Sequence, residues 1–170
     1  MENNQTVSDH DEQHEIEPGP ADVIARAKLA LAPVQSALSA AGFYAYATVD
    51  EQNRWSIASD SEHGHVDVRV GADGFTVELW NSSPGLFADE ENEFRQRVLE
   101  RVARMTLPRI VQGLLEPHQS AEWDEVEHGV VVRIAYDLPF TRADQIGDFV
   151  RDRLPELDDL LTFVERRVTS

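Results

Sequence analysis

The chain has 170 residues, which is enough for one domain to bury a core, and it contains no cysteine. Disulfides, thiol catalysis and cysteine-ligated zinc or iron–sulfur sites are therefore excluded. The formal net charge is −17, from 32 acidic and 15 basic residues, and this field repels phosphate backbones, so direct binding to DNA or RNA is not expected.

Residues 1–19 are expected to form a disordered, acidic tail. The segment carries six acidic residues and no lysine or arginine, and it is poor in apolar side chains. Too little can be buried there to offset the entropy lost on ordering. Neither a signal sequence nor a run of about 18 apolar residues is present, so a cytoplasmic protein without membrane contact is expected. Residues 20–170 are expected to form a single α+β domain.

The first predicted helix covers residues 21–41, where apolar side chains recur at alternating spacings of three and four. Pro33 removes one backbone donor, which predicts a kink or a break. Two strands are predicted next, at residues 43–49 and 54–59. The alternating run from His65 to Trp80 then predicts a hairpin. Together these strands make an antiparallel meander of four.

Alternation within this hairpin divides its side chains between two faces. Trp80 falls on the face opposite the core, so its large apolar surface needs cover from another element or from a partner. His65 shares that face, and with His63 it could begin a metal site, but Arg69 beside them opposes a bound cation. No metal and no cofactor is therefore expected. The predicted core face carries Val66, Val68, Val70, Phe75, Val77 and Leu79.

A second helix is predicted over residues 90–106, with Asp89 as its N-cap and acidic residues in its first turn. Pro108 is expected to interrupt it. Arg97 and Arg104 each follow a glutamate by four residues, which predicts ion pairs along the helix surface. The apolar side chains predicted to face the core are Phe94, Val98, Leu99, Val102 and Met105.

A second hairpin is predicted from residues 121–126 and 130–136, which flank His128-Gly129. Trp123 stands among acidic neighbours in the first of these strands. Its apolar area needs cover, either from the core or from another chain. Trp80 and Trp123 are therefore the candidate partner-binding residues.

The last predicted helix follows this hairpin. Thr141 and Asp144 have the spacing of a capping box, with aspartate where glutamate is usual. Pro155 is expected to break the helix near its middle. The order of predicted elements is thus α-ββββ-α-ββ-α. This order is typical of an α+β domain in which one antiparallel sheet, a four-strand meander plus a second hairpin, is covered by three helices.

The stretch from His128 to Thr141, HGVVVRIAYDLPFT, carries a family resemblance. A glycine precedes an apolar strand that ends in Asp-Leu-Pro and passes into the last helix. This segment resembles its equivalent in YbjN-like bacterial proteins, which share the fold of type III secretion chaperones, and the order of elements is similar across about residues 20–168. The resemblance implies a homodimer that acts through protein contacts, and it carries over no catalytic residue.

The sequence shows no motif of enzyme chemistry, because it has no Ser, His, Asp order, no HExxH and no glycine-rich phosphate loop. We therefore expect a non-enzymatic, dimeric, chaperone-like module that binds a client protein. The negative charge favours a basic client, for instance a DNA-binding or single-stranded-DNA-binding protein. The alternatives are an acidic DNA mimic and a regulatory ligand-binding protein, with an enzyme less favoured than either.

Overall fold

A computed structural model describes residues 19–50 and 52–170, so the predicted tail lies outside the described residues except for Gly19. The order of elements, α-ββββ-α-ββ-α, is as predicted, with a short 3-10 helix (Phe140–Gln145) added before the last helix. The elements are α1 (Pro20–Ala40), β1 (Ala45–Val49), β2 (Trp55–Ser61), β3 (Gly64–Val70), β4 (Gly74–Ser83), α2 (Glu93–Gly113), β5 (Gln119–Asp124), β6 (Gly129–Pro139) and α3 (Ile146–Thr169).

The six strands form one antiparallel sheet in the order β1-β2-β3-β4-β6-β5. The second hairpin joins the meander through β6, which pairs with β4 from Gly74 opposite Pro139 to Ser83 opposite Val130. This is the longest pairing of the sheet, and it leaves β3 and β4 at the centre. β1 and β5 are the edge strands.

All three helices lie on one face of the sheet. α1 contacts β1, β2 and β3, α3 contacts β3, β4 and β6, and α2 contacts β5, while α3 also contacts both other helices. The core between them contains the predicted side chains of the β3–β4 hairpin with one exception. Val70 is exposed, because it ends β3 and lies in an open groove beside the first turns of α1.

The breaks predicted at Pro108 and Pro155 are wrong, and so is the break that was one of two alternatives, with a kink, at Pro33. Pro33, Pro108 and Pro155 lie inside α1, α2 and α3, each of which is continuous. A proline removes one backbone hydrogen bond, and each of these three has its ring on the exposed side of its helix. Their neighbours Val34 and Leu107 are buried in the core, so packing holds the helix together where one bond is missing.

The predicted starts of the second and third helices are also wrong. α2 begins after Asn92, whose side-chain oxygen accepts a hydrogen bond from the backbone N–H of Arg95 at 3.1 Å, and Asp89 precedes the helix. Thr141 lies in the 3-10 helix and makes no capping hydrogen bond, and α3 begins at Ile146. Local capping patterns gave the wrong residue because several acceptors of similar chemistry stand close together before each helix.

A close approach of α1 to α3 depends on Gly147, which is buried in the first turn of α3. A Cβ at this position would overlap the carbonyl oxygen of Ala37 and would lie 2.8 Å from the Cβ of Ala41. The absence of a side chain therefore lets the two helices pack backbone to backbone.

Gly147→Ala is expected to lower the free energy of unfolding by about 1–3 kcal/mol, because the added methyl forces α1 and α3 apart. Gly113→Ala is the matched control, since a Cβ there meets no atom within 4 Å and alanine favours the helix by up to about 1 kcal/mol. Urea denaturation of both variants gives the comparison. Equal stability of the two would contradict the close packing described for Gly147.

Candidate interaction surfaces

The outward side of α2 carries four apolar side chains, Phe94, Val98, Val102 and Met105, which we call the apolar strip. Phe94 is 75% exposed and Met105 is 66% exposed. The sequence pattern predicted these side chains, and Leu99 with them, in the core, and that prediction is wrong because all five are exposed. The strip leaves a large apolar surface without cover among the described residues.

Helix geometry explains the error. The buried residues of α2 are Ala103, Leu107 and Ile110, which form one side of the helix against β5 and α3. At about 100° per residue, Phe94 and Met105 point almost directly away from that side. α2 is therefore apolar on two sides, and only one of them belongs to the core.

α2 is also more basic than the rest of the chain. The predicted ion pairs within the helix are absent from the described residues, since Arg104 instead binds Glu125 after β5 at 2.8 Å. Glu100 lies 3.3 Å from Nδ1 of His128. The helix contains five arginines and two glutamates. The arginines are Arg95, Arg97, Arg101, Arg104 and Arg109, and the glutamates are Glu93 and Glu100.

Acidic side chains concentrate where the β5–β6 turn meets the loop before α2, a region we call the acidic end. Two backbone hydrogen bonds join the segments, from Gly85 N–H to the Glu127 oxygen at 2.7 Å and from Leu86 N–H to the His128 oxygen at 3.1 Å. A shallow hollow of about 440 Å³ lies between them and the first turns of α2. The acidic end consists of Asp89, Glu90, Glu91, Glu93, Asp124, Glu125 and Glu127.

Trp123 lies on the helix-covered face of the sheet, between β5 and α2. Its ring packs against the core, and it remains half-buried in a groove of about 440 Å³ whose walls include Pro108 and Val111. Its Nε1–H is buried and has no acceptor among the described residues. The ring of Trp123 was expected to be covered by the core or by another chain, and the core covers at least part of it.

Trp80 lies on the face of the sheet that no helix of the described chain covers, as predicted. The register places His65, Trp80 and Arg133 opposite one another on β3, β4 and β6. The His65 ring stacks on Trp80 with centroids 4.0 Å apart, and the Arg133 guanidinium lies 5.7 Å from the Trp80 centroid on the other side. Both faces of the indole are therefore in contact within the chain, and within the part of the chain that the structure describes only its edge is free.

Polar contacts extend this row across the open face. Asp60 accepts hydrogen bonds from Nδ1 of His65 at 2.5 Å and from the Tyr46 hydroxyl at 2.8 Å, and these bonds, that of His65 first, hold the pKa of its carboxyl below the ordinary value. Arg133 binds Glu78 at 3.2 Å and Glu122 at 3.1 Å. The open face is thus a network of ion pairs and stacked rings from β1 to β5.

A second row of side chains on the same face contains Asp67, whose carboxylate is unfavourable in its charged form. Burial raises the pKa of Asp67, although Arg69 lies 3.2 Å away and the Ser56 hydroxyl donates a hydrogen bond at 3.2 Å. Ser56 is itself fully buried, although no helix of residues 19–50 and 52–170 lies above it. Long neighbouring side chains therefore shield this part of the open face from water.

Trp80 and Trp123 are not brought together, because they lie on opposite faces of the sheet. The described residues gather no group of three or more histidine, aspartate or glutamate side chains that could hold a metal ion. None of the helices in residues 19–50 and 52–170 has both the length and the apolar composition needed to cross a bilayer. The surface that sequence reasoning missed is the apolar strip, whose signal was the presence of apolar residues on two sides of α2.

The raised pKa of Asp67 predicts a pH-dependent effect of Asp67→Asn. Ionised Asp67 destabilises the fold, and this penalty disappears as the pH falls through the raised pKa. Asp67→Asn is therefore expected to be more stable than wild type at neutral pH, with the difference lost by the ordinary pKa of 3.8. Denaturation from neutral to acidic pH measures this difference, and exposed Asp73→Asn is the control. A variant that is less stable at neutral pH and recovers in acid would show that the Arg69 ion pair outweighs burial.

A scan against protein-family models found no match, and searches of curated proteins and of solved structures found no significant match. The resemblance to YbjN-like proteins therefore stays a prediction.

Proposed function

We propose that the chain is a non-enzymatic, dimeric, chaperone-like module that binds a basic client protein. The observation that carries this proposal is the apolar strip of α2. Burying four such side chains contributes at most about 6–12 kcal/mol per copy. That is comparable to the roughly 4–15 kcal/mol that association costs in lost freedom of motion.

A second copy of the chain is the occupant that uses the strip most efficiently. In a twofold interface the same surface is presented by both partners, so two strips are buried by one association. The apolar gain then doubles to at most about 12–24 kcal/mol, while the association cost of about 4–15 kcal/mol is incurred once. This balance favours a homodimer over a complex in which a client covers one strip with a polar surface.

The class of client follows from charge. The folded part of the chain stays strongly acidic, since removing the six acids of residues 1–19 leaves 26 acidic against 15 basic residues. The acidic end presents this charge beside the strip, and such a field attracts a basic protein and orients its approach. A DNA-binding or single-stranded-DNA-binding protein is a client of this kind.

We propose Trp80 and Trp123 as contacts for the client. The neighbours of each tryptophan limit which part of its ring a client can reach. Trp80 offers only the edge of its ring, because His65 and Arg133 occupy the faces. Trp123 is reached only through the groove between α2 and β5. A single short client segment cannot contact both, so these residues serve either separate segments or a client that passes around the sheet edge.

Met105→Glu is expected to convert a dimer into a monomer, because it buries an unpaired charge within the interface proposed for α2. Light scattering at micromolar concentration measures the molecular mass of the wild-type chain and of the variant. The matched control is Leu29→Glu, which introduces the same charge at an apolar side chain that is 78% exposed on α1, away from the strip. This control is expected to remain dimeric.

Two outcomes would contradict the proposed dimer. A wild-type chain that is monomeric at micromolar concentration would remove dimerisation altogether. A dimer that Leu29→Glu disrupts and Met105→Glu leaves intact would place the interface on another surface.

Affinity capture from lysate, with the full chain washed at low and at moderate salt, is expected to retain a basic protein at moderate salt.

Trp80→Ala is then expected to weaken this complex about tenfold, a loss of roughly 1.4 kcal/mol. The corresponding variant for the other tryptophan is Trp123→Phe, because phenylalanine keeps an aromatic ring packed against the core. Unchanged affinity in a folded variant would remove that residue from the interface. Displacement of the client by DNA at the same site would favour the DNA mimic instead.

A further inference from the structure

A groove of about 690 Å³ lies between the first turns of α1 and the ends of β2 and β3. Its floor is apolar and partly open to solvent. Val23, on α1, is 52% exposed, and Val70 is exposed at the end of β3. Trp55 is half-buried between them. The groove is therefore an apolar surface of appreciable size toward the edge of the sheet that is opposite α2.

The rim of this groove is basic. Arg26, Arg54 and Arg69 line it, and no carboxylate among the described residues does so. The ammonium of Lys28 lies 4.4 Å from the centroid of the Trp55 ring, where it is held by the aromatic face. These cations stand together in a chain whose net charge is −17.

Two of these cations are available for another partner. Arg54 is paired with Asp50 at 2.7 Å, and the Arg69 guanidinium lies near carboxylates of the open face. Arg26 and Lys28 form no ion pair within residues 19–50 and 52–170. A complementary occupant therefore combines acidic side chains with at least one apolar side chain.

The chain itself contains such a segment next to the groove. Residues 1–18 connect to Pro20, which lines the groove. Near the end of this segment Glu15 and Glu17 flank Ile16. Ile16 is four residues before Pro20, so a fully extended chain keeps it within about 13 Å of the groove. The six acids of the segment are Glu2, Asp9, Asp11, Glu12, Glu15 and Glu17.

We propose that the groove is the docking site of the chain's own N-terminal segment, residues 1–18. Ile16 covers the apolar floor, and Glu15 and Glu17 face the cations Arg26 and Lys28. Because the segment is tethered at Pro20, its effective concentration at the groove is on the order of millimolar, so contacts of millimolar affinity suffice for about half occupancy. An acidic peptide from another protein binds there only by displacing the segment. The apolar strip of α2 plays no part in this docking.

The absence of cysteine allows a direct test on the full chain. In the Ser8→Cys variant a single nitroxide label is attached to the introduced thiol. The label broadens the nuclear magnetic resonance signals of nearby protons. The three tryptophan indole signals are internal reporters, since Trp55 lies in the groove while Trp80 and Trp123 lie elsewhere. The Trp55 signal is expected to be strongly broadened, because the label spends an appreciable fraction of its time near the groove. The signals of Trp80 and Trp123 are expected to change little.

Charge reversal provides the specificity control. Arg26→Glu combined with Lys28→Glu is expected to restore the Trp55 signal, as is high salt, which screens exposed charges. The same reversal at Arg97 and Arg101 of α2 is expected to leave the broadening of Trp55 unchanged. The indole signal also reports whether each variant is folded.

Three results would overturn the proposal. The first is equal broadening of all three indole signals, which means that the segment visits the whole surface. The second is broadening of Trp55 that the reversal of Arg26 and Lys28 does not reduce. The third is broadening seen only when label and observed protons are on different chains of a mixed sample, which assigns the groove to the segment of a second copy.

Discussion

The packing of three helices on a single face of the sheet is the constraint on which the rest of the structure depends. It buries Val68, Val77 and Leu79 completely on that face, together with the apolar residues of the helices above them. Among the described residues no helix covers the opposite face, so its side chains there satisfy one another. They do so through the stack of His65 on Trp80, the contacts of Arg133, and the hydrogen bonds to Asp60. A polar network takes the place of a second helical layer.

The position of α2 follows from the same arrangement. α1 and α3 cover β1 to β4 and β6, which leaves α2 over the edge strand β5. An edge position lets a helix bury only one narrow side, and in α2 that side consists of Ala103, Leu107 and Ile110. The remaining apolar residues of the helix stay in contact with solvent. A partner surface, proposed here as a second copy, is the physical means of covering them.

Charge is distributed unevenly over this fold. The chain as a whole is strongly acidic, yet α2 carries an excess of arginine, and the groove beside α1 is lined by Arg26, Arg54 and Arg69. The parts of the molecule that attract acidic groups and the parts that attract basic groups are therefore different. Because exposed charges are screened by salt within about 10 Å, it is these local groupings that govern recognition at short range, while the net charge acts on approach.

The sequence by itself determined the order of the elements and the two faces of the β3–β4 hairpin. Alternation is a local property, so it placed Trp80 and His65 opposite Val66 and Val68 without knowledge of the fold. It also placed the core side chains of this hairpin, Val66, Val68, Phe75, Val77 and Leu79. Trp123 was identified as a residue that needs cover because it stands among acidic neighbours. These features depend only on the residues within one or two elements.

Only the tertiary structure decided which side of α2 is buried, since both sides are apolar and the choice depends on contacts with β5 and α3. The same holds for the pairing of β4 with β6, which joins residues far apart in the chain. Pro108 did not break its helix because long-range packing of Leu107 and Ile110 outweighs one missing hydrogen bond. The candidate interaction surface was hidden from sequence reasoning for this reason: a local pattern shows that a side chain is apolar, and only the contacts of distant elements decide whether it is covered.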